Sequence, residues 1–433
     1  MKVNILTIFP EYFDSPFKVG LLGKAIKKGL IDIRILNLRD YALDKHKVVD
    51  DEPFGGGEGM VFKPEPIYRA ITNVKAKDPD TYIVYLSPKG KLFNQRLAEK
   101  LAEKNSLLFI CGRYEGIDQR IVDNFVDEEI SIGDYVVFGG EVAVLVILEA
   151  IARLIPGVVG TKDSVEKESF TSGLLKHSCY TRPRGFLGYK VPEVLISGNH
   201  KKIENFRKRE SLELTVKRRP ELLKSASLDE EEKRILKEIL EKQRFYLFLI
   251  HYPVYNKNKE VIASATANFD LHDLSRLART YDLAGVYIIQ PLEDQRELIL
   301  NLKTYWTKGR GAIYNPLRKE AIELIEVFPS FEEAIETVKA KEGREPILIS
   351  TDASPKREYI TCDKVREFLW ESPVILVLGT AWGLCEEVLD RCDYFIEPIW
   401  GRLDPYNHLS VRSAGAIFVE KILGIYSFCK KTQ

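Results

Sequence analysis

The chain has 433 residues, 64 Lys+Arg against 64 Asp+Glu, and 45% hydrophobic residues. That length suggests two to four domains with real cores. Zero net charge removes any argument from overall basicity for nucleic-acid binding, though it permits a local basic patch. The most apolar stretch, 142–155, is broken by Glu149 and Arg153 and is too short for a bilayer span, and no signal-peptide pattern opens the chain.

Strand and helix patterns alternate through the first third. An apolar run at 3–8 has strand length, 21–30 reads as a helix, and 31–36 alternates as a strand does. Residues 82–86 and 106–111 read as buried strands, each ending in a polar loop with glycine: Ser87-Pro88-Lys89-Gly90 and Gly112-Arg113-Tyr114-Glu115-Gly116. Such alternation predicts a parallel sheet, whose ligands sit at the carboxyl ends of the strands. A strand-like run at 136–138 lies between Gly133-Asp134 and Gly139-Gly140, and an apolar helix follows.

Polar residues dominate 161–178, a linker by pattern. Residues 201–241 read as helical, and 201–219 hold eight Lys/Arg against three Asp/Glu. Taken alone, that charge run is a solvated helix face or an RNA contact. From about 245 the α/β pattern resumes, with strands expected at 246–250, 286–289, 347–349 and 374–378. Helices are expected at 271–280, 331–339 and 410–423. The six cysteines (Cys111, Cys179, Cys362, Cys385, Cys392, Cys429) are scattered without a Cys-x-x-Cys pair. This predicts no zinc site, no disulfide framework and a reducing cytoplasm.

Several segments in order resemble the TrmD-type tRNA (guanine-37) methyltransferases. They include GGGEGM at 55–60, YLSPKG at 85–90, CGRYEGIDQR at 111–120, EEISIGDYVVFGGE at 128–141, RLIPGVVG at 153–160, SFTSGLL at 169–175 and YTRP at 180–183. The resemblance covers residues 1 to about 240. It implies a SPOUT-class α/β domain with a trefoil knot (1–160), a linker bearing the catalytic carboxylate (161–178) and a helical tRNA-docking domain (179–243). It also implies S-adenosylmethionine as methyl donor, tRNA as substrate, 1-methylguanosine as product and a homodimer.

The family's cofactor pocket falls on three loops. These hold Tyr85, Leu86, Ser87 and Pro88; Gly112, Tyr114 and Glu115; and Ser131, Ile132, Gly133, Tyr135, Val137, Gly139 and Gly140. Glu168 stands where the family has a catalytic Asp, and Arg153 matches its catalytic arginine. A carboxylate suits removal of the guanine N1 proton, and an arginine suits the charge that then grows on the carbonyl oxygen. On the RNA side the resemblance implies Asp50, Gly59, Lys208, Arg209, Arg218 and Arg219. The chain departs from the family at Glu58, Phe138, Ala143, Glu168, Lys176, Ser178 and Cys179.

A second resemblance covers about 245–430, to a SPOUT-type RNA methyltransferase-like family. It rests on NFDLHDLSRLARTYDL at 268–283, LGTAWGL at 378–384, IEPI at 396–399 and YNHLSVRSAGAI at 406–417. It implies a second knotted α/β domain (244–433) with a cofactor pocket at Leu378, Gly379, Thr380, Ile396, Pro398, Asn407, His408, Leu409 and Ser410. Asp270, His272 and Arg276 fall on its substrate side. This domain reads as a second RNA methyltransferase or a docking module. The alternative for the whole chain is an RNA-binding protein whose first site has decayed, with the second domain active.

Overall fold

A computed structural model describes residues 1–160, 168–353 and 358–424. The first seven residues of the expected linker, 161–167, and Cys429 lie outside them. The chain divides into two compact units, Met1–Ser172 and Gly173–Gln433.

The first unit is built on β1 (Lys2–Thr7), α1 (Gly20–Lys27), β2 (Asp32–Asn37), α2 (Pro64–Lys77), β3 (Tyr82–Leu92), α3 (Gln95–Ala102), β4 (Ser106–Cys111), α4 (Gln119–Phe125), β5 (Glu128–Ser131) and α5 (Gly140–Ala152). Its sheet runs β2-β1-β4-β3-β5, all parallel. Alternate residues enter two cores. Val84, Leu107 and Phe109 pack with Ile147 and Leu148 of α5, while Ile83, Leu108 and Ile110 pack with Ile67 and Ile71 of α2. Both faces are therefore covered, as a parallel sheet requires. Strand order reverses between β1 and β4, which opens a crevice at their carboxyl ends.

Two local expectations are corrected. Residues 87–90 are an excursion within β3, which pairs with Ile130 first through Leu86 and again through Lys91. Gly90 permits this, since a Cβ there would lie 2.4 Å from the backbone of Glu129 and Ile130. Residues 136–138 form no strand; they pair with none among the described residues, and Val136 and Phe138 are exposed.

The second unit carries a helical hairpin, α6 (His200–Arg218) and α7 (Glu230–Leu240). The expected helical stretch is thus broken, at Pro220, where a 3-10 turn takes over. Leu212, Val216, Leu236 and Ile239 form its core, and Trp370 and Leu423 pack against it from the α/β part of the same unit.

That part contains β6 (Phe245–Ile250), α8 (Asn268–Thr280), β7 (Gly285–Ile289), α9 (Glu293–Thr307), α10 (Arg310–Tyr314), α11 (Pro316–Ile322), β8 (Ile325–Phe328), α12 (Phe331–Glu342), β9 (Ile347–Ser350), α13 (Cys362–Phe368), β10 (Val374–Gly379), β11 (Tyr394–Phe395) and α14 (Val411–Leu423). The sheet order is β8-β7-β6-β10-β9-β11, again all parallel. Order reverses between β6 and β10, so this sheet also has a crevice at its carboxyl edge. No helix among the described residues is long and apolar enough to cross a membrane.

Candidate functional site

The carboxyl edge of the first sheet holds a cavity of about 260 Å³. The β3 excursion, the loop after β4 and the loop from β5 into α5 line it, and every residue expected from those loops is on its wall. Tyr85 is buried beneath it, and Gly112 and Gly116 sit against its ring: a Cβ on either would lie within 2.9 Å of the phenol oxygen. Burial pushes the Tyr85 phenol up to about 12, so it keeps its proton at neutral pH. Ser131 closes a tight turn, its hydroxyl donating to Gly133 O at 3.1 Å. Tyr135 lies over Gly133, where a Cβ would come 2.3 Å from the ring. Glycine is therefore needed for the ring to cover the backbone.

Behind the wall stands a group that the sequence reading left unassigned. Glu141, in the first turn of α5, is buried and accepts from Thr7 Oγ1 at 2.7 Å. Its other oxygen lies 3.1 Å from the Arg113 guanidinium, which stacks 4.6 Å above the Phe9 ring. Gly140 N donates to Gly112 O at 3.1 Å, and a Cβ on Gly139 would meet Arg113 Nε at 2.3 Å. These contacts join the end of β1 to two of the three loops. Arg113 and Glu141 sit inside the quoted motifs, but the sequence carries no sign that they meet.

Arg153 follows directly on α5, and its guanidinium lies 3.6 Å from Glu168. Both side chains are partly open to solvent. Asp50 pairs with Phe62 in a short antiparallel ladder. Gly59, at φ +94°, lets its loop lie on Glu115, whose side chain a Cβ would meet at 2.9 Å. Met60 O accepts from Glu115 N at 3.1 Å, which seats this loop beside the cavity.

Residues 1–225 match the family model described as tRNA (Guanine-1)-methyltransferase TrmD, and residues 244–424 match one described as SAM-dependent RNA methyltransferase. Proteins named tRNA (guanine-N(1)-)-methyltransferase from Oleidesulfovibrio alaskensis and Nitratidesulfovibrio vulgaris are each 44% identical over 98% of this chain and 99% of their own length. One of the same name from Alkaliphilus metalliredigens is 53% identical, covering 56% of this chain and all of its own length. The chain belongs to the tRNA (guanine-N1)-methyltransferase family. It is an S-adenosylmethionine-dependent methyltransferase acting on tRNA guanine, with a second RNA methyltransferase domain that the shorter relative lacks.

Within this methyltransferase three of the eight basic residues of 201–219 are engaged with acids of their own hairpin. Lys208 bonds Asp229 at 2.9 Å and Glu231 at 3.0 Å, Arg209 pairs with Glu238, and Arg219 pairs with Glu221. Arg218 is exposed at the end of α6.

The expected second-domain residues gather at the carboxyl ends of β9, β10 and β11. Leu378 and Gly379 end β10, and Thr380 Oγ1 donates to Ile250 O at 2.8 Å. Ile396 N donates to Ser350 O at 3.0 Å, two residues before the buried Pro398. Asn407 Nδ2 donates to Ala353 O at 2.5 Å, tying the 397–409 segment to the end of β9. His408 faces Tyr406 edge-on, Leu409 is exposed, and Ser410 caps α14. Asp270 lies 3.2 Å from Arg412, His272 meets Trp306 edge-on, and Arg276 is exposed on α8.

One polar chain here was not expected. Thr380 donates to Ile250 O, Ser264 lies 2.6 Å from Thr380, and His251 Nδ1 lies 2.8 Å from Ser264. These roles are consistent if His251 carries its proton on Nδ1. Burial lowers the His251 pKa to about 4, so the ring is neutral.

Proposed function

We propose that the first unit methylates N1 of guanosine 37 in tRNA, with its three-loop cavity holding S-adenosylmethionine. The observation that carries this reading is that the three loops line one cavity while Arg153 and Glu168 meet on the same unit. The cavity suits the cofactor. Backbone of 86–88, 112 and 131–133 offers donors and acceptors for an adenine edge, and Leu86, Ile132 and Val137 supply an apolar slot. Glycines at 133, 139 and 140 keep side chains out of the approach.

The cofactor supplies a methyl group on a positively charged sulfur. Glu168 accepts the N1 proton of the guanine. Arg153 positions that carboxylate and offsets charge on the guanine carbonyl oxygen. Asp50 and Gly59 shape the RNA side of the cavity, and the 179–243 region docks the tRNA, with Arg218 its exposed basic contact. The loops form a trefoil knot, as do those of the second domain. Two copies associate through the exposed Val136, Phe138, Val142 and Val146, an apolar face suited to a two-fold partner. In the second domain, Leu378–Thr380, Ile396, Pro398 and 407–410 form a further S-adenosylmethionine pocket.

The test is Glu168→Gln, which removes the base with almost no change of shape. Single-turnover methylation of a tRNA bearing guanosine 37 should fall roughly 100-fold or more. S-adenosylmethionine binding by calorimetry should not change, and Glu168→Asp should retain activity. Wild-type turnover by Glu168→Gln would remove the base assignment and make Glu115 the next candidate. Two bound cofactors per chain support the second pocket; one per chain, still bound after the 378–380 segment is altered, counts against it.

A further inference from the structure

Residues 303–319 contain five Lys/Arg and no Asp/Glu, in a chain whose total charge is zero. They span the end of α9, all of α10 and the first half of α11. The three helices are locked together at Trp306. Arg318 stacks 4.6 Å above its ring, and Tyr305 meets it edge-on at 5.2 Å. Gly311 lets α10 lie against both rings: a Cβ there would come 2.7 Å from Trp306 and 2.8 Å from Tyr305. The turn is therefore a fixed surface.

That surface is left open. Ile313 and Tyr314 are 86% and 85% exposed, and Tyr305 is half exposed. Among the described residues, Lys308, Arg310 and Arg318 have no carboxylate partner. The nearby acids are already engaged, Glu320 with Arg279 and Glu323 with Lys319. Core packing explains neither feature. An aromatic side chain held out in water beside unneutralised cations is a poor surface for water and a good one for an unpaired nucleic-acid strand. Bases stack on the ring and phosphates neutralise the cations.

We propose that the α9–α11 corner of the second domain is a single-stranded RNA contact surface, with Tyr314 as stacking platform and Lys308 and Arg310 as phosphate contacts. This rests on the chain acting on RNA, and not on the second domain being catalytic. The occupant is RNA rather than a second copy of this chain, because Lys308, Arg310 and Arg318, with no carboxylate partner among the described residues, would repel their own image across a two-fold axis.

The experiment uses the full chain and a labelled, unstructured RNA oligonucleotide, with affinity read by fluorescence anisotropy across a salt series. Lys308→Glu with Arg310→Glu should weaken binding roughly 10-fold and reduce the slope of log K against log salt by about 1.4, two contacts at ~0.7 each. Tyr314→Ala should weaken it about 5-fold or more with the slope unchanged, since no charge is lost. Far-UV circular dichroism and the thermal unfolding midpoint of the full chain should match wild type in both variants, showing that the second unit, which carries all three residues, is folded. Methylation at guanosine 37 is read separately, so failure of the first-unit assignment is distinguishable. Wild-type affinity and slope in both variants would overturn the proposal. So would a fall in mass by light scattering with RNA affinity retained, which would make the surface a contact between copies.

Discussion

Glu141 is 1% exposed, yet it holds three parts of the site in place. Its carboxylate takes the Thr7 hydroxyl on one oxygen and the Arg113 guanidinium on the other, so it sets the distance between the 112–116 and 131–140 loops. Glu141→Gln keeps the shape but leaves Arg113 without its counter-charge. We expect the Kd for S-adenosylmethionine to rise about 10-fold, ~1.4 kcal/mol, by calorimetry with secondary structure intact. An unchanged Kd would show that the loops hold their spacing without the ion pair. The sequence showed the loops because they are glycine-rich and follow buried strands. It could not show this contact, since Thr7 and Glu141 lie 134 residues apart and meet only where strand order reverses. Glu168 was reachable only through its flanking Ser-Phe and the resemblance, because no spacing or periodicity marks it.

At the scale of single elements, two predictions follow from buried or paired charge. His251 directly follows β6 with its ring neutral, its pKa depressed to about 4 against 6.5 for an exposed histidine. The unfolded chain therefore binds a proton that the folded chain refuses as pH falls below 6.5. Stability from this group is present above that pH and is lost toward pH 4, by up to about 3 kcal/mol. Thermal midpoints measured at pH 7 and pH 5 should show the loss, and His251→Asn, which retains a donor for Ser264, should flatten it. Equal acid sensitivity in that variant would assign the effect elsewhere. In α6, Lys208 joins two carboxylates at the start of α7, one of which also caps that helix. Lys208→Ala should lower stability by about 1 kcal/mol in urea titration, with a smaller effect on tRNA affinity than Arg218→Ala. The run of basic residues was plain in the sequence, but the pairing of Lys208 was not, because its partners lie 21 and 23 residues further on, across the turn of a hairpin. The central buried strands were legible from apolar runs. The four-residue β8 and the short α10 and α11 were not, being too brief to set up a period.

For the whole molecule, the two parallel sheets and their carboxyl-edge crevices were foreshadowed by alternating strand and helix patterns at each end of the chain. The packing of Trp370 and Leu423 on the helical hairpin was not, because it joins segments more than 100 residues apart in sequence. Removing residues 244–433 exposes that apolar contact, so the truncated chain should be less stable than the full one by differential scanning fluorimetry. An equal midpoint would mean the hairpin is self-sufficient. Light scattering should give twice the chain mass, and a stable active monomer would contradict the proposed two-fold face. The most direct test of the central claim is nucleoside mass mapping of unmodified tRNA incubated with the purified chain and S-adenosylmethionine. One methyl group per tRNA is expected from the first unit, as 1-methylguanosine at position 37. That product should be lost in Glu168→Gln and in a tRNA with adenosine at that position. Methylation elsewhere with guanosine 37 untouched would contradict it.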